Sequence, residues 1–266
     1  MRKRKLLRLE ELNWKEIEGL DKERTLVIIP ISPLEAHGPH LPVGTDILIT
    51  EEICKEVVNR IRKKRKGVIP ILYPFQAFGY CGATMDAPGT ISIDSRTLSK
   101  VVYDTLKSLE NHGFRNVLII TFHADPFYIK AIHNAIKRMD ENLRVSEPIS
   151  KLYYSNKLSL SHAGKEETSI MLYLYPYLVN KIYKSLNEVN IRFSLIKFRK
   201  TLREMGAENI YIGNPSEADI ELGRKLFKII VDFCVNSALE LMGDEYRESL
   251  PKEIKFLPLF IQRRNP

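Results

Sequence analysis

The sequence predicts a layered α/β fold in which crossover helices cover a mostly parallel sheet. Three observations carry this expectation. The runs Leu-Val-Ile-Ile at 26–29 and Asn-Val-Leu-Ile-Ile at 116–120 are short, mostly β-branched and apolar without alternation, as strands covered on both faces should be. Between and after them lie stretches with helical periodicity. Strand and helix signals alternate along the chain, which favours a sheet with helical crossovers over separate all-α and all-β parts.

Each element has its own signal. The first strand, 26–29, leads into a Pro- and Gly-containing loop. From Asp46 the apolar set Ile49, Ile53, Val57 and Ile61 recurs every four residues, with Thr45 or Asp46 able to cap the start. Residues 68–73 are a weaker strand. From Asp94 the set Leu98, Val101, Val102, Thr105 and Leu109 predicts a second helix, stopped by Gly113. The strand at 116–120 follows. A last long helix is expected from Ser216 through Leu226, Ile230, Phe233 and Leu241.

The chain has 266 residues, of which 44% are hydrophobic and 28% charged, so a disordered or fibrous chain is excluded. One domain spanning residues 1–266 is expected, with no linker or internal repeat to divide it. No apolar run approaches the roughly 20 residues of a membrane helix, and the basic start lacks the apolar core of a secretory signal. Cys54, Cys81 and Cys234 are odd in number and far apart, which argues against a disulfide framework or a cysteine-based zinc finger. A cytoplasmic protein without a membrane partner fits. The net charge of +8 is concentrated only at residues 2–5 and 62–66, the second run at an expected helix end, so solvated faces explain it better than nucleic acid.

Polar groups cluster where the strands end. Directly after the first strand stand Glu35, His37 and Asp46; in an extended segment Glu35 and His37 point the same way, toward a common centre, with Asp46 available as a further oxygen ligand. As a trio taken alone they read equally well as loop residues and a helix cap. His123 and Asp125 directly follow the 116–120 strand. In one parallel sheet with right-handed crossovers both loops emerge at the same edge, so two imidazoles and three carboxylates could converge and hold one or two ions of zinc, manganese or iron. A core histidine is the alternative for His123. A third cluster, His162 to Glu167, offers an imidazole near a substrate, with Glu167 to orient it or join the metal; a plain acidic helix start explains it too.

The segment PISPLEAHGPHLPVGTD at 30–46 resembles the opening motif of the creatininase (creatinine amidohydrolase) family, and HAGKEETSIMLYLYP at 162–176 resembles its second signature. Weaker similarities run in order through Trp14, the Pro88-Gly89-Thr90-Ile91 turn, the His123 segment and the stretch from Gly213 to Gly223. The resemblance implies a three-layer α/β/α fold, a binuclear divalent metal site, hydrolysis of non-peptide C–N amide bonds in small molecules, and a homo-oligomer, a hexamer above all. It places Glu35, Asp46 and His123 on one metal and His37, Asp46 and Asp125 on the other, with Asp46 bridging. His162 would handle protons beside the scissile amide, supported by Glu167. Departures bear on substrate: Thr121-Phe122-His123-Ala124-Asp125-Pro126 stands where many members have Asn-Gly-His-Gly-Gly-Asn, and Asp125 replaces the longer Glu of creatininase. Ala87 replaces the usual Phe. Leu158 lies near a place where creatininase carries a substrate-covering tryptophan; the single Trp here is Trp14. A formylaminopyrimidine ribonucleotide deformylase, a small-peptide hydrolase or a catalytically silent metal-binding protein are the competing expectations.

Overall fold

The computed structural model describes residues 6–154, 160–191, 199–243, 252–257 and 262–263; the basic run at 2–5 and Leu158 lie outside them. Among the described residues four strands, β1 (Thr25–Pro30), β2 (Ile69–Leu72), β3 (Asn116–Ile120) and β4 (Arg144–Ser146), form one parallel sheet in the order β2-β1-β3-β4. The register pairs Val27 with Ile71 on one side and with Val117 on the other. Every residue of β1 and β3 is buried, which explains why neither strand alternates in sequence.

Successive side chains of the central strands enter two different cores. Leu26, Ile28, Leu118 and Ile120 pack with α2 (Thr45–Lys64), α5 (Pro148–Tyr154), α6 (Lys165–Leu174) and α7 (Ile220–Leu241). Val27, Ile29, Val117 and Ile119 pack with α3 (Ser95–Asn111) and α4 (Pro126–Ile136). The expected three-layer α/β/α arrangement is therefore present, with one apolar cluster on each face of the sheet. Short helices α1 (Trp14–Glu18) and α8 (Lys252–Lys255) are the remaining α-helices among the described residues.

Local chemistry explains most boundaries. Asp94 accepts the Arg96 amide at 2.8 Å and starts α3, and Gly113, at φ +84°, follows its end. Arg62, Lys63 and Lys64 occupy the last turn of α2, where their charge suits the helix dipole. Two expectations are corrected. Neither Thr45 nor Asp46 caps α2: Gly44 holds the cap position, Thr45 donates its hydroxyl to Pro42, and Asp46 sits in the first turn. The last helix begins at Ile220, because Pro215–Glu217 forms a separate 3-10 turn and Asp219 accepts the Leu222 amide. The edge strand β4 had no expectation at all.

The strand order reverses at the centre, with β2 on one side of β1 and β3 on the other. In an open α/β sheet that arrangement leaves a crevice between the loops after β1 and β3, beyond their carboxyl ends. A buried hydroxyl network sews the two loops together there. Ser32 lies 2.8 Å from Thr50 and 3.1 Å from Thr121 through their side-chain oxygens, and the Thr50 hydroxyl accepts the Phe122 amide at 2.9 Å.

Candidate metal centre and active site

The loops place Glu35, His37, Asp46, His123 and Glu167 together below the surface, none more than 6% exposed. Asp46 is the hub. Its Oδ2 lies 3.1 Å from His123 Nδ1, and its Oδ1 lies 3.3 Å from His37 Nε2. Glu35 Oε2 also approaches His123 Nδ1, at 2.9 Å, while Glu167 Oε2 stands 3.5 Å from His37 Nε2. One carboxylate thus faces two imidazoles, and each imidazole has a second carboxylate of its own.

Surrounding groups fix the orientation of these ligand atoms. The second nitrogen of His123 donates to the Tyr80 carbonyl at 3.0 Å, leaving Nδ1 for the cluster. His37 is held likewise, its Nδ1 donating to the Glu35 carbonyl at 2.8 Å. Thr84, fully buried, donates to Glu35 Oε1 at 2.7 Å and leaves Oε2 directed at His123. Cys81 is also close, with Sγ 4.0 Å from His123 Nε2. Sequence reasoning missed Thr84 and Cys81, because their loop reaches the site only through tertiary packing and carries no local spacing signal.

The electrostatics are those of a site that concentrates both signs of charge away from water. Burial opposes the ionised form of Glu35, yet His123 and His162 hold its carboxyl down at about 2. Asp46 is likewise held below the usual carboxylate range by His37 and His123 against the effect of burial. Burial would lower His37, but Asp46, Glu167 and Glu35 lift it to about 10, and Glu35 raises His123 in the same way. Glu167 is pushed up to about 8, by burial first and then by the Asp46 and Glu35 charges.

His162 lies beside this cluster, its ring centroid 4.4 Å from that of His37. Burial and the neighbouring His37 push it down to about 4, so its imidazole is neutral at pH 7. Its Nε2 is 2.9 Å from the Ala36 carbonyl, an acceptor only, so Nε2 carries the hydrogen and Nδ1 the lone pair. The next residue, Ala163, stands in the left-handed region at φ +49°, a conformation costly for a residue with a Cβ. Glu167 holds it there by accepting the Ala163 amide at 2.7 Å. Expected as a support for His162, Glu167 supports the adjoining backbone and faces His37 as well.

Asp125, expected on the second ion, has one of its two oxygens engaged at the start of α4. Its Oδ1 accepts the amides of Phe127 and Tyr128, at 2.8 and 3.0 Å, and so caps α4. Among the described residues, the groups whose ligand atoms converge within 4.8 Å are Glu35–Cys81–His123, Glu35–His37–His162 and His37–Asp46–Glu167; Asp125 is in none of them, and Glu35, Asp46 and His123 do not form one as a trio. It still lines the cavity above them, where burial lifts its carboxyl to about 6. At the start of α4 two amides need an acceptor, and Oδ1 of this short aspartate supplies it.

The sequence profile of the creatininase (creatinine amidohydrolase) family matches residues 10–237. The chain belongs to the creatininase family. Creatinine amidohydrolase of Pseudomonas putida is 31% identical over 191 residues, which cover 64% of this chain and 72% of that protein. The mycofactocin precursor peptide peptidase of Mycobacterium ulcerans (strain Agy99) is 26% identical over 234 residues, covering 86% and 90%. A solved creatininase described as its manganese form superposes with a TM-score of 0.68 at 24% identity, over 90% of this chain and all of that one. The chain is accordingly an amidohydrolase of the creatininase family, and the fold likeness extends well beyond the two motifs.

Proposed function

We propose that the chain hydrolyses a C–N amide bond with the help of two divalent ions. One would be held by Glu35, Asp46 and His123, the other by His37, Asp46 and Glu167, with Asp46 shared. The observation that carries this reading is the division of Asp46, whose two oxygens face two different histidines. The residues suit such ions in a further respect: Glu35 Oε2, Asp46 Oδ2 and His37 Nε2 are buried without a well-directed hydrogen bond. Buried polar atoms left in that state are costly unless something else satisfies them, and an N/O donor set fits zinc, manganese or iron. The manganese form of the solved creatininase supports the same choice for this chain.

When bound, divalent ions would supply a water made acidic enough to attack at neutral pH and would polarise the amide carbonyl. The protein's own residues do the rest. Neutral His162 accepts a proton at Nδ1 and returns it to the amide nitrogen as the C–N bond breaks, so that hydroxyl ends on carbon and hydrogen on nitrogen. Its Nε2–H bond to Ala36 keeps the tautomer that this exchange needs. Glu167 fixes the turn that presents His162. Asp125 is assigned to the helix cap and the cavity wall.

The substrate reading is a small-molecule amide, cyclic or linear. A short peptide is a second reading, supported by the peptidase relative that matches most of the chain. Exposed apolar side chains at Tyr177, Leu178 and Ile182, on two consecutive 3-10 turns, support a homo-oligomer. The test is a screen of protein stripped with a chelator and reloaded separately with zinc, manganese or iron(II), against creatinine, N-formyl compounds, N-acyl amino acids and dipeptides. Hydrolysis that disappears on stripping and returns on reloading is expected. Hydrolysis unaffected by complete removal of metal would overturn the reading.

A further inference from the structure

We propose that the cavity over the carboxylate–imidazole cluster takes an N-acyl monocarboxylate with an aromatic or branched body, its amide at the cluster and its carboxylate at Lys200. This rests on the amide-hydrolase reading above and narrows its substrate class.

Size is the first argument. The cavity measures about 620 Å³, within the range of roughly 300–1,000 Å³ that encloses drug-sized ligands. A five-membered cyclic amide seated at the cluster would leave most of that space to water.

The wall is the second argument. Above Glu35, Asp46, His123 and His162, the cavity is lined by Phe122, Tyr153, Tyr154, Leu202, Met205 and Leu257 among others. The two tyrosines do not make it polar. Tyr153 donates its hydroxyl to the Phe122 carbonyl at 3.2 Å and Tyr154 donates to the Ala124 carbonyl at 2.6 Å, so their rings are what they offer a ligand. An apolar body of the substrate would replace water against these side chains, a gain of roughly ten- to a hundredfold in binding for one aromatic group.

Charge is the third argument. Among the described residues lining the cavity, Lys200 is the one lysine or arginine, and it is exposed. The backbone that follows it is pinned. Leu202 donates its amide to the Ala83 carbonyl at 2.6 Å, and Thr201 donates its hydroxyl to Asp86 at 2.8 Å. Glu204 is near enough to interact with Lys200, but its carboxylate is engaged by Arg263 and by the Thr201 amide. A single ammonium is a point charge suited to a monoanion; a phosphate is more often met by several donors at once. The ligand's anionic end is therefore a carboxylate.

The experiment uses the zinc-loaded full chain with four compounds: N-acetyl-L-phenylalanine, its uncharged C-terminal amide, N-acetylglycine and creatinine. N-acetyl-L-phenylalanine should be hydrolysed to acetate and phenylalanine with kcat/KM roughly ten- to a hundredfold above N-acetylglycine. Lys200→Ala should raise KM for N-acetyl-L-phenylalanine about three- to tenfold with little change in kcat, and move KM for the uncharged amide by less than about twofold. Equal rates for the phenylalanine and glycine compounds, or equal KM shifts for the charged and uncharged ones, would overturn this assignment and leave amide hydrolysis standing. If no compound is hydrolysed, calorimetric titration of the same four onto the zinc-loaded protein decides. Carboxylate-selective binding that weakens in Lys200→Ala upholds the pocket as a carboxylate site and overturns the N-acyl amide as its substrate; its absence overturns the whole assignment, while amide hydrolysis itself is decided by the wider screen with all three metals.

Discussion

Glu167 Oε2 stands 3.5 Å from Nε2 of His37, while Asp125 turns its Oδ1 to the amides that open α4. The proposed ligand sets give Glu167 the task that the resemblance gave Asp125. Glu167→Gln should keep the bond to the Ala163 amide, since a side-chain carbonyl still accepts, but can no longer ionise to ligate beside His37. Elemental analysis should then find about one ion per chain in place of two, because removing one of three ligands weakens only the ion it serves. Asp125→Ala should retain both ions and lose about 0.5–2 kcal/mol in urea unfolding, the cost of a helix cap. The reverse pattern, metal lost with Asp125 and kept with Glu167, would restore the sequence expectation.

His162 separates proton transfer from metal binding. It touches His37 by ring contact and Ala36 by hydrogen bond. With a substrate from the screen, His162→Ala should keep its metal and lose about 10²- to 10⁴-fold in kcat, the scale of general acid–base catalysis. His123→Ala should lose metal and rate together. A His162→Ala variant that sheds metal as readily would make His162 a ligand, consistent with its convergence on Glu35 and His37.

Metal uptake should release protons. In the metal-free protein His37 is raised to about 10 and Glu167 to about 8, so both hold protons at pH 7. Ligation needs them deprotonated, so binding must expel those protons, and apparent affinity must rise with pH across the window from 7 to 10. Titrating zinc into the stripped protein in two buffers of different ionisation enthalpy measures the release directly. More than one proton per chain is expected at pH 7; none would show that His37 and Glu167 do not ligate.

Much of this architecture is legible in the chain because burial leaves a simple mark. β1 and β3 are covered on both faces, so they read as unbroken apolar runs, and the residues that follow them inherit a known place at the sheet edge. Glu35, His37, Asp46 and His123 come together for that reason. β4 left no such mark: it is three residues long, at the edge, and only partly apolar. Thr84 is invisible for another reason, since it meets Glu35 across 49 positions of sequence. The cap made by Asp125 and the approach of Glu167 to His37 were equally hidden. The cap depends on whether a short side chain serves the amides of its own helix or an ion nearby, and spacing does not record that choice.

If Asp46 serves two ions at once, as proposed, the metal content of Asp46→Ala beside the unaltered chain must show it. Both proteins would be loaded with zinc, freed of excess by gel filtration and analysed for metal per chain, with circular dichroism to establish that the variant is folded. About two ions are expected in the unaltered protein and less than about a tenth of an equivalent in the variant, because one side chain is removed from both coordination sets. A folded Asp46→Ala variant that keeps one full equivalent would show that Asp46 belongs to a single ion, and one that keeps both would contradict the bridging arrangement altogether.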